Sequence, residues 1–265
     1  MTDSEVADFV YTDELIDKFE CRWGEGFMSP GGAPELAELL RPVKIQSRRV
    51  LDFGCGTGGF TSLLVSAHGA GEVVGVDIEP LVLARAERLA VRQGLADRIS
   101  YHCVSPGPLD FATATFDFVL SIGAIVHHSN QPQLFRDFHR LLRPGGQLVI
   151  SDWYATEDPF TEEMRRWTSE GEHTFEMASL RQTAGLAREV GFVAIEIRDR
   201  NDWFRAETRR DLERLNGSLW DGYVTRFGLD AARFARECSK TFVQLADQGQ
   251  LRPGYLYARK PQEEP

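Results

Sequence analysis

A layered α/β fold on a mostly parallel, seven-stranded sheet is the class this chain predicts, and three observations predict it. Short, almost continuously apolar segments (RRVLDFG, EVVGVDI, RISYHCV, FDFVLSI and GQLVISDW) alternate with helical patterns of about ten residues or more. Strands that are apolar on both faces belong in a sheet covered by helices on either side. The first strand runs into a glycine turn and then a helix, VLDFGCGTGG followed by FTSLLVSAH. The length agrees, because 265 residues suit a single α/β core with helical additions.

The elements follow in order. Residues 1–47 read as an N-terminal helical lid. Leu15, Ile16 and Phe19 share one helical face, GEGFMSPGG interrupts it, and PELAELLRP forms a second short helix that stops at Pro42. The core is predicted over 48–265, where FTSLLVSAH, LVLARAERLAVRQG and QLFRDFHRLL supply helices between strands. GFVAIEIRDR and GYLYARK complete the sheet as its sixth and seventh strands. Two stretches stand outside the alternation: 158–188, polar and helical, and 201–250, helical with tryptophans. Open parallel sheets bind ligands at the carboxyl ends of their strands, so these insertions and the N-terminal helices are expected to cover that end as a lid.

Composition excludes several classes. Forty acidic and 30 basic side chains leave a net charge of −10, which repels phosphate backbones and argues against a nucleic-acid partner. A chain that is 42% hydrophobic and 26% charged has the means to bury a core, so disorder is not its main state. Cys21, Cys55, Cys103 and Cys238 lack metal-ligand spacing and are too few for a disulfide scaffold, so no metal is expected. The acidic start MTDSEVADFVYTDEL has no apolar core and does not read as a signal peptide. No apolar run reaches the roughly 20 residues of a membrane span. The expectation is a reduced, cytoplasmic, soluble protein, monomer or homodimer, acting on a small molecule.

The glycine turn carries the chemistry. Gly54, Gly56 and Gly59 satisfy G-x-G-x-x-G, the Rossmann-like signature in which backbone approaches a ligand with no Cβ in the way. Asp52 ends the strand just before these glycines, where a pyrophosphate would face a carboxylate at close range. S-adenosylmethionine carries a sulfonium and an ammonium instead, and a nearby carboxylate favours both. Asp77 ends the next strand, at the offset where an acidic residue accepts ribose hydroxyls in nucleotide folds. A nicotinamide dehydrogenase is the weaker alternative.

From Arg49 to Trp153 the chain resembles the class I methyltransferases that use S-adenosylmethionine: the glycine loop, Asp77, FDFVLSIGAI and RLLRPGGQLVISD carry the likeness. The resemblance implies that backbone from Gly54 through Cys55, Gly56 and Gly58 holds the methionine part. It also puts Asp77 on the ribose, Ile78 against the adenine, and Val104 and Ser105 along the adenine edge. CVSPGPLD lacks the acid that family often places there, and Ser105 is its substitute.

The flanks YTDELIDKFECRWGEGFMSPGG, SIGAIVHH, ISDWYATED and GYLYARK are similar to the phosphoethanolamine N-methyltransferases over most of the chain. That resemblance implies a catalytic pair, Tyr11 and His127, and a turn of Ser29, Gly31 and Gly32 that closes over the methyl donor, with Ile122 beside it. Lys240 matches a late lysine of the family. The departures are Val10, where the family often has glutamine, Ile122 and Gly123, where it has an Arg-Asp pair, and Glu170 to His173, where it has basic and tyrosine contacts to phosphate. A phosphate dianion needs charge-assisted donors, so a different small acceptor is expected.

Methyl transfer from a sulfonium is an in-line displacement in which a neutral thioether leaves. Catalysis is then mostly alignment, plus a base where the nucleophile carries a proton. Imidazole titrates near neutrality, so His127 is the candidate base and Tyr11 its hydrogen-bonded partner; taken alone, His127 also reads as a histidine packing at a helix start. His128 reads as structural. Met28, Trp153, Trp167, Trp203 and Phe204 read either as an acceptor pocket, stacking a ring or a methylated ammonium, or as packing between lid and sheet. Arg165-Arg166 and Arg209-Arg210 read as solvated helix faces. The receiving atom is expected to be nitrogen, in an amine or azaheterocycle. An O-methyltransferase and a non-catalytic S-adenosylmethionine-binding module stay open as alternatives.

Overall fold

The structure, a computed structural model, describes residues 11–170 and 177–262. Seven strands form one sheet: β1 (Arg49–Phe53), β2 (Glu72–Asp77), β3 (Ile99–Cys103), β4 (Phe116–Ile122), β5 (Leu142–Ala155), β6 (Val193–Asp199) and β7 (Leu251–Arg259). Their order is β3-β2-β1-β4-β5-β7-β6. The first five are mutually parallel, and β7 runs antiparallel between β5 and β6. β1 lies between β2 and β4, with Asp52 opposite Gly75 and Leu120, so the glycine turn emerges where the strand order reverses.

Helices cover both faces. α1 (Asp13–Trp23), α2 (Gly32–Leu40), α3 (Gly59–Ser66), α4 (Pro80–Arg92) and α5 (Gln131–Leu141) precede β5. α6 (Glu162–Glu170) and α7 (Leu180–Val190) lead to β6, and α8 (Asn201–Asn216), α9 (Trp220–Phe227) and α10 (Leu229–Asp247) lie between β6 and β7. Successive strand residues point to opposite sides. Leu51, Val74 and Leu148 join one core with Phe135 and Phe138 of α5 and Ala184 and Ala187 of α7. Val50, Val73 and Val149 join the other with Leu36 and Leu39 of α2 and Leu64 of α3. Double coverage explains the near-continuous apolar strands.

Two segments expected in the lid are therefore core layers. Leu36 and Leu39 are about 1% exposed against the sheet, and α7 buries Ala184 and Ala187 beside Phe192. The reason is periodic: each helix carries a full apolar stripe, which burial against a sheet satisfies best. What stands over the strand ends is α1, α6 and α8–α10. Ala155, Met164, Phe204, Leu245 and Leu251 form a third core there, and Leu215, Tyr223 and Ala232 a fourth against Cys21 of α1.

Ion pairs tie this cap down. Arg85 of α4 reaches Asp13, Asp17 and Glu20 of α1, and Arg200 grips Glu35 of α2 through two bonds of 3.0 and 2.8 Å. Among the described residues, no helix is long and apolar enough to cross a membrane.

Candidate active site

The site begins where β1 ends. Gly54 has φ +71°, and a Cβ there would come within 2.1 Å of the Ala124 Cβ, so only glycine fits. The turn is pinned by two amides, Gly54 N–H and Cys55 N–H, both donating to the Val76 carbonyl at 2.8 and 3.0 Å. Gly58 also has a positive φ, +84°, and lies against Tyr101 and Ala86. Cys55 is buried, and burial pushes its thiol well up, so it packs rather than reacts.

Two carboxylates frame the loop. Asp52 is buried and accepts a 2.6 Å bond from Thr61 Oγ1 of α3. Burial pushes it up to about 6, and the nearby charge of Asp77 acts the same way. Asp77 accepts from Gly56 N–H at 2.9 Å and from Glu79 N–H at 3.1 Å, yet burial still raises it. The Ile78 N–H bonds it as well, and a carboxylate with about four lone-pair positions still has room for a hydroxyl donor. Beside it Ile78 is 57% exposed, an apolar ledge at the strand end. Val104 N–H donates to the Asp77 carbonyl at 2.9 Å, which brings half-buried Val104 and exposed Ser105 to the ledge's edge. An open glycine cradle, a carboxylate with room for a hydroxyl donor and a bare apolar ledge fit a nucleoside on an uncharged or cationic tail. They do not fit a diphosphate.

The two residues expected to act as a pair occupy different elements. Tyr11 lies beside Asp77 and Glu79; burial and then these two charges hold its hydroxyl above the usual range, so it stays protonated. His127 is exposed at the end of a short 3₁₀ turn, Ile125–His127. Asp152 holds that turn, a role sequence reasoning missed: its Oδ2 accepts from Ile125 N–H at 2.8 Å and Val126 N–H at 3.2 Å. It is fully buried on β5 and burial pushes it up to about 7. The signal was a lone acid inside the apolar run of a central strand, ISDW, which only an internal hydrogen-bonding duty explains. His128 is half-buried, accepts from Asn130 N–H at 3.2 Å and packs on Phe53.

A narrow cavity opens over the ends of β4 and β5, lined by Ser29, Ile122, Gly123, Trp153, Trp203 and Phe204 among others. Among the described residues no lysine or arginine lines it, and the ionisable one that does is Glu35, already bonded to Arg200 and Tyr255. Pro30, Trp153 and Phe204 also line a second, much smaller gap between α1, α8 and α10.

Trp153 packs on Phe204, Phe242 and Trp167 at ring distances of 5.7, 5.2 and 6.0 Å. Trp167 backs this cluster and is not among the residues lining either cavity, so it supports the wall rather than forming it. Met28 is likewise displaced: its Cε stands over Gly56, above the glycine loop. Lys240 is exposed and paired with Glu237 at 2.7 Å. Arg165, Arg166 and Arg210 are exposed and Arg209 is partly so, in keeping with solvated helix faces. Val10 and residues 171–173 lie outside the described residues.

Residues 50–146 match the methyltransferase domain family. That stretch is similar to a methyltransferase domain, and the likeness runs on into relatives that match more of the chain. It is 26% identical over 206 residues to phosphoethanolamine N-methyltransferase 1 of Arabidopsis thaliana, covering 77% of this chain and 41% of that protein. It is 26% identical over 198 residues to the phosphoethanolamine N-methyltransferase of Plasmodium falciparum, covering 73% and 72%. Phosphoethanolamine N-methyltransferase 2 of Haemonchus contortus, solved with phosphomonomethylethanolamine and S-adenosylhomocysteine, superposes with a TM-score of 0.88. That pair is 26% identical, covering 95% of this chain and 59% of the other. The chain thus spans less than half the length of its Arabidopsis relative. The matched stretch begins one residue after the start of β1 and contains the glycine loop, Asp77 and the His127 turn; both cavities take walls from outside it.

Proposed function

We propose that this protein transfers a methyl group from S-adenosylmethionine to a nitrogen of a small-molecule acceptor. The observation that carries the proposal is the continuity of the site. The glycine cradle with Asp77 and Ile78 lies at the ends of β1 and β2, and an aromatic cavity that no basic side chain among the described residues lines opens over β4 and β5. Gly54 to Gly58 would hold the methionine part, Asp77 the ribose, Ile78 and Val104 the adenine, and Ser105 its edge. Ser29 and Ile122, which line the cavity, would stand where cofactor and acceptor meet.

S-adenosylmethionine supplies an electrophilic methyl on a sulfonium. The protein's part is to align the nucleophile, exclude water and take a proton where the acceptor is an ammonium or N–H group. His127 is the base in this reading. Tyr11, whose hydroxyl keeps its proton, donates a hydrogen bond that closes the N-terminal segment over the site and orients the acceptor. Nitrogen is favoured as the receiving atom because the relatives bear the name N-methyltransferase.

The test is turnover. Purified protein is incubated with S-adenosylmethionine and a panel of amines, azaheterocycles and phenols. Release of S-adenosylhomocysteine is followed, and the methylated position is read by NMR. Binding of S-adenosylhomocysteine without turnover on any acceptor would leave only a binding module. Preference for NAD in calorimetry would end the proposal.

A further inference from the structure

We infer that Asp152 is a positioning residue for methyl transfer, its carboxylate gripping three backbone amides so that the His127 turn keeps a fixed place beside the strand that carries Trp153. The inference rests on the methyltransferase reading above and deepens it, because it adds a residue that acts through the base. Asp152 is 2% exposed near the end of β5. Its Oδ2 accepts from two amides of the turn, Ile125 N–H at 2.8 Å and Val126 N–H at 3.2 Å, and its Oδ1 accepts from Trp153 N–H at 2.7 Å. Ile125 and Val126 are buried, whereas His127, next in the chain, is exposed. The turn therefore stands on a buried foot and carries its imidazole at the tip. Trp153, on the other side of the same carboxylate, lines the cavity over β4 and β5.

Three converging N–H groups select a carboxylate. It offers acceptors on both oxygens and no donor, whereas asparagine would turn its NH2 toward either the turn amides or the Trp153 amide. Stability does not account for the acid, since burial favours its neutral form and raises it. Its use is to hold a turn that has few bonds of its own. Within that turn His127 N–H donates to the Ala124 carbonyl at 3.2 Å and His128 N–H to the Ile125 carbonyl at 2.9 Å. From the other side the Gln131 side chain of α5 donates to the Ile125 carbonyl at 3.3 Å. The first amides of a short helix have no acceptor inside it, and here Asp152 supplies one. A displacement of about 1 Å can cost about a hundredfold in rate, so a base at the tip of so short a turn depends on what anchors its foot.

The experiment is turnover by the full chain at saturating S-adenosylmethionine, the probe acceptor being whichever amine, azaheterocycle or phenol of the panel is methylated fastest. Asp152→Asn is expected to lower kcat about ten- to hundredfold. Calorimetry should find its affinity for S-adenosylhomocysteine unchanged. In a His127→Ala chain the same substitution should cost nothing further on the residual rate, because its effect passes through the imidazole. A residue that only stabilised the fold would cost the same in both backgrounds. Gln131→Ala, which loosens the same turn from the α5 side, should lower kcat severalfold even if Asp152→Asn fails to fold.

The inference is overturned if Asp152→Asn keeps the wild-type kcat, if its cost is equal with and without His127, or if S-adenosylhomocysteine affinity falls along with kcat. Where Asp152→Asn does not fold, a Gln131→Ala chain that turns over like the wild type overturns it. Any of these results in a chain whose wild type methylates the panel strikes this inference alone. A wild type that binds S-adenosylhomocysteine and methylates no acceptor strikes the methyltransferase reading and this one with it.

Discussion

Removing the His127 imidazole is the sharpest intervention at the scale of single side chains. General-base catalysis contributes roughly 10²- to 10⁴-fold, so His127→Ala is expected to cut kcat within that range for an acceptor that must lose a proton. Affinity for S-adenosylhomocysteine should hold, which calorimetry checks. Tyr11→Phe deletes a donor but not a base and should cost less.

The buried carboxylates give a pH signature. Asp52 and Asp152 are pushed up to about 6 and about 7 by burial, from an ordinary value near 3.8. Between about pH 4 and pH 7 the folded chain therefore holds protons that the unfolded chain has released, and stability falls as pH rises through that window. Asp152→Asn should flatten this slope, and urea midpoints at pH 4.5 and 7 for both proteins would reveal it. A steeper slope in the variant would contradict the assignment.

Among the elements, the β1–α3 turn was fully legible beforehand. Glycines at the required offsets after an apolar strand have one structural meaning, and Asp77 and Ile78 follow from the next strand's end. Gly54→Ala tests the turn. With φ at +71° and 2.1 Å to Ala124, the added methyl must displace the turn or the segment after β4. A drop of several degrees in Tm, together with loss of S-adenosylhomocysteine binding, is the expected outcome; a variant that binds normally would refute the tight fit.

The roles of α2 and α7 were less legible. Both carry apolar stripes that periodicity detects, but a stripe does not say whether it will meet a sheet or another helix. Asp211 was equally open to detection. It lies on the apolar stripe of α8 with Phe204, Thr208 and Leu215, where a carboxylate requires a buried partner. That partner, Arg22, is 189 positions away, and no local pattern links the two.

For the molecule as a whole, the cap and the sheet meet through a few buried polar ties, of which Glu35 with Arg200 and Tyr255 is the most central. Breaking a buried pair leaves an uncompensated charge, and Glu35→Ala should cost about 3 kcal/mol in denaturant unfolding. A cost below about 0.5 kcal/mol, the level of ordinary surface substitutions, would mean the tie is incidental. Cofactor binding should also stiffen the cap. Amide exchange in 13–32 and 201–216 is expected to slow on adding S-adenosylhomocysteine, while exchange in β4 and β5 changes little. The α/β frame was readable because its signals are local and repeated. The assembly of the cap was not, because α1, α8 and α10 come together through contacts between distant parts of the chain.

Helices α8 to α10 leave the sheet at the end of β6 and return at the start of β7, and these two strands are hydrogen-bonded neighbours. The whole segment is thus a cassette clipped into a hairpin, with entry and exit side by side. Exchanging it for a cassette of another sequence would alter the guest without disturbing the host frame, which offers a route by which one scaffold could be refitted to new acceptors, in nature or at the bench.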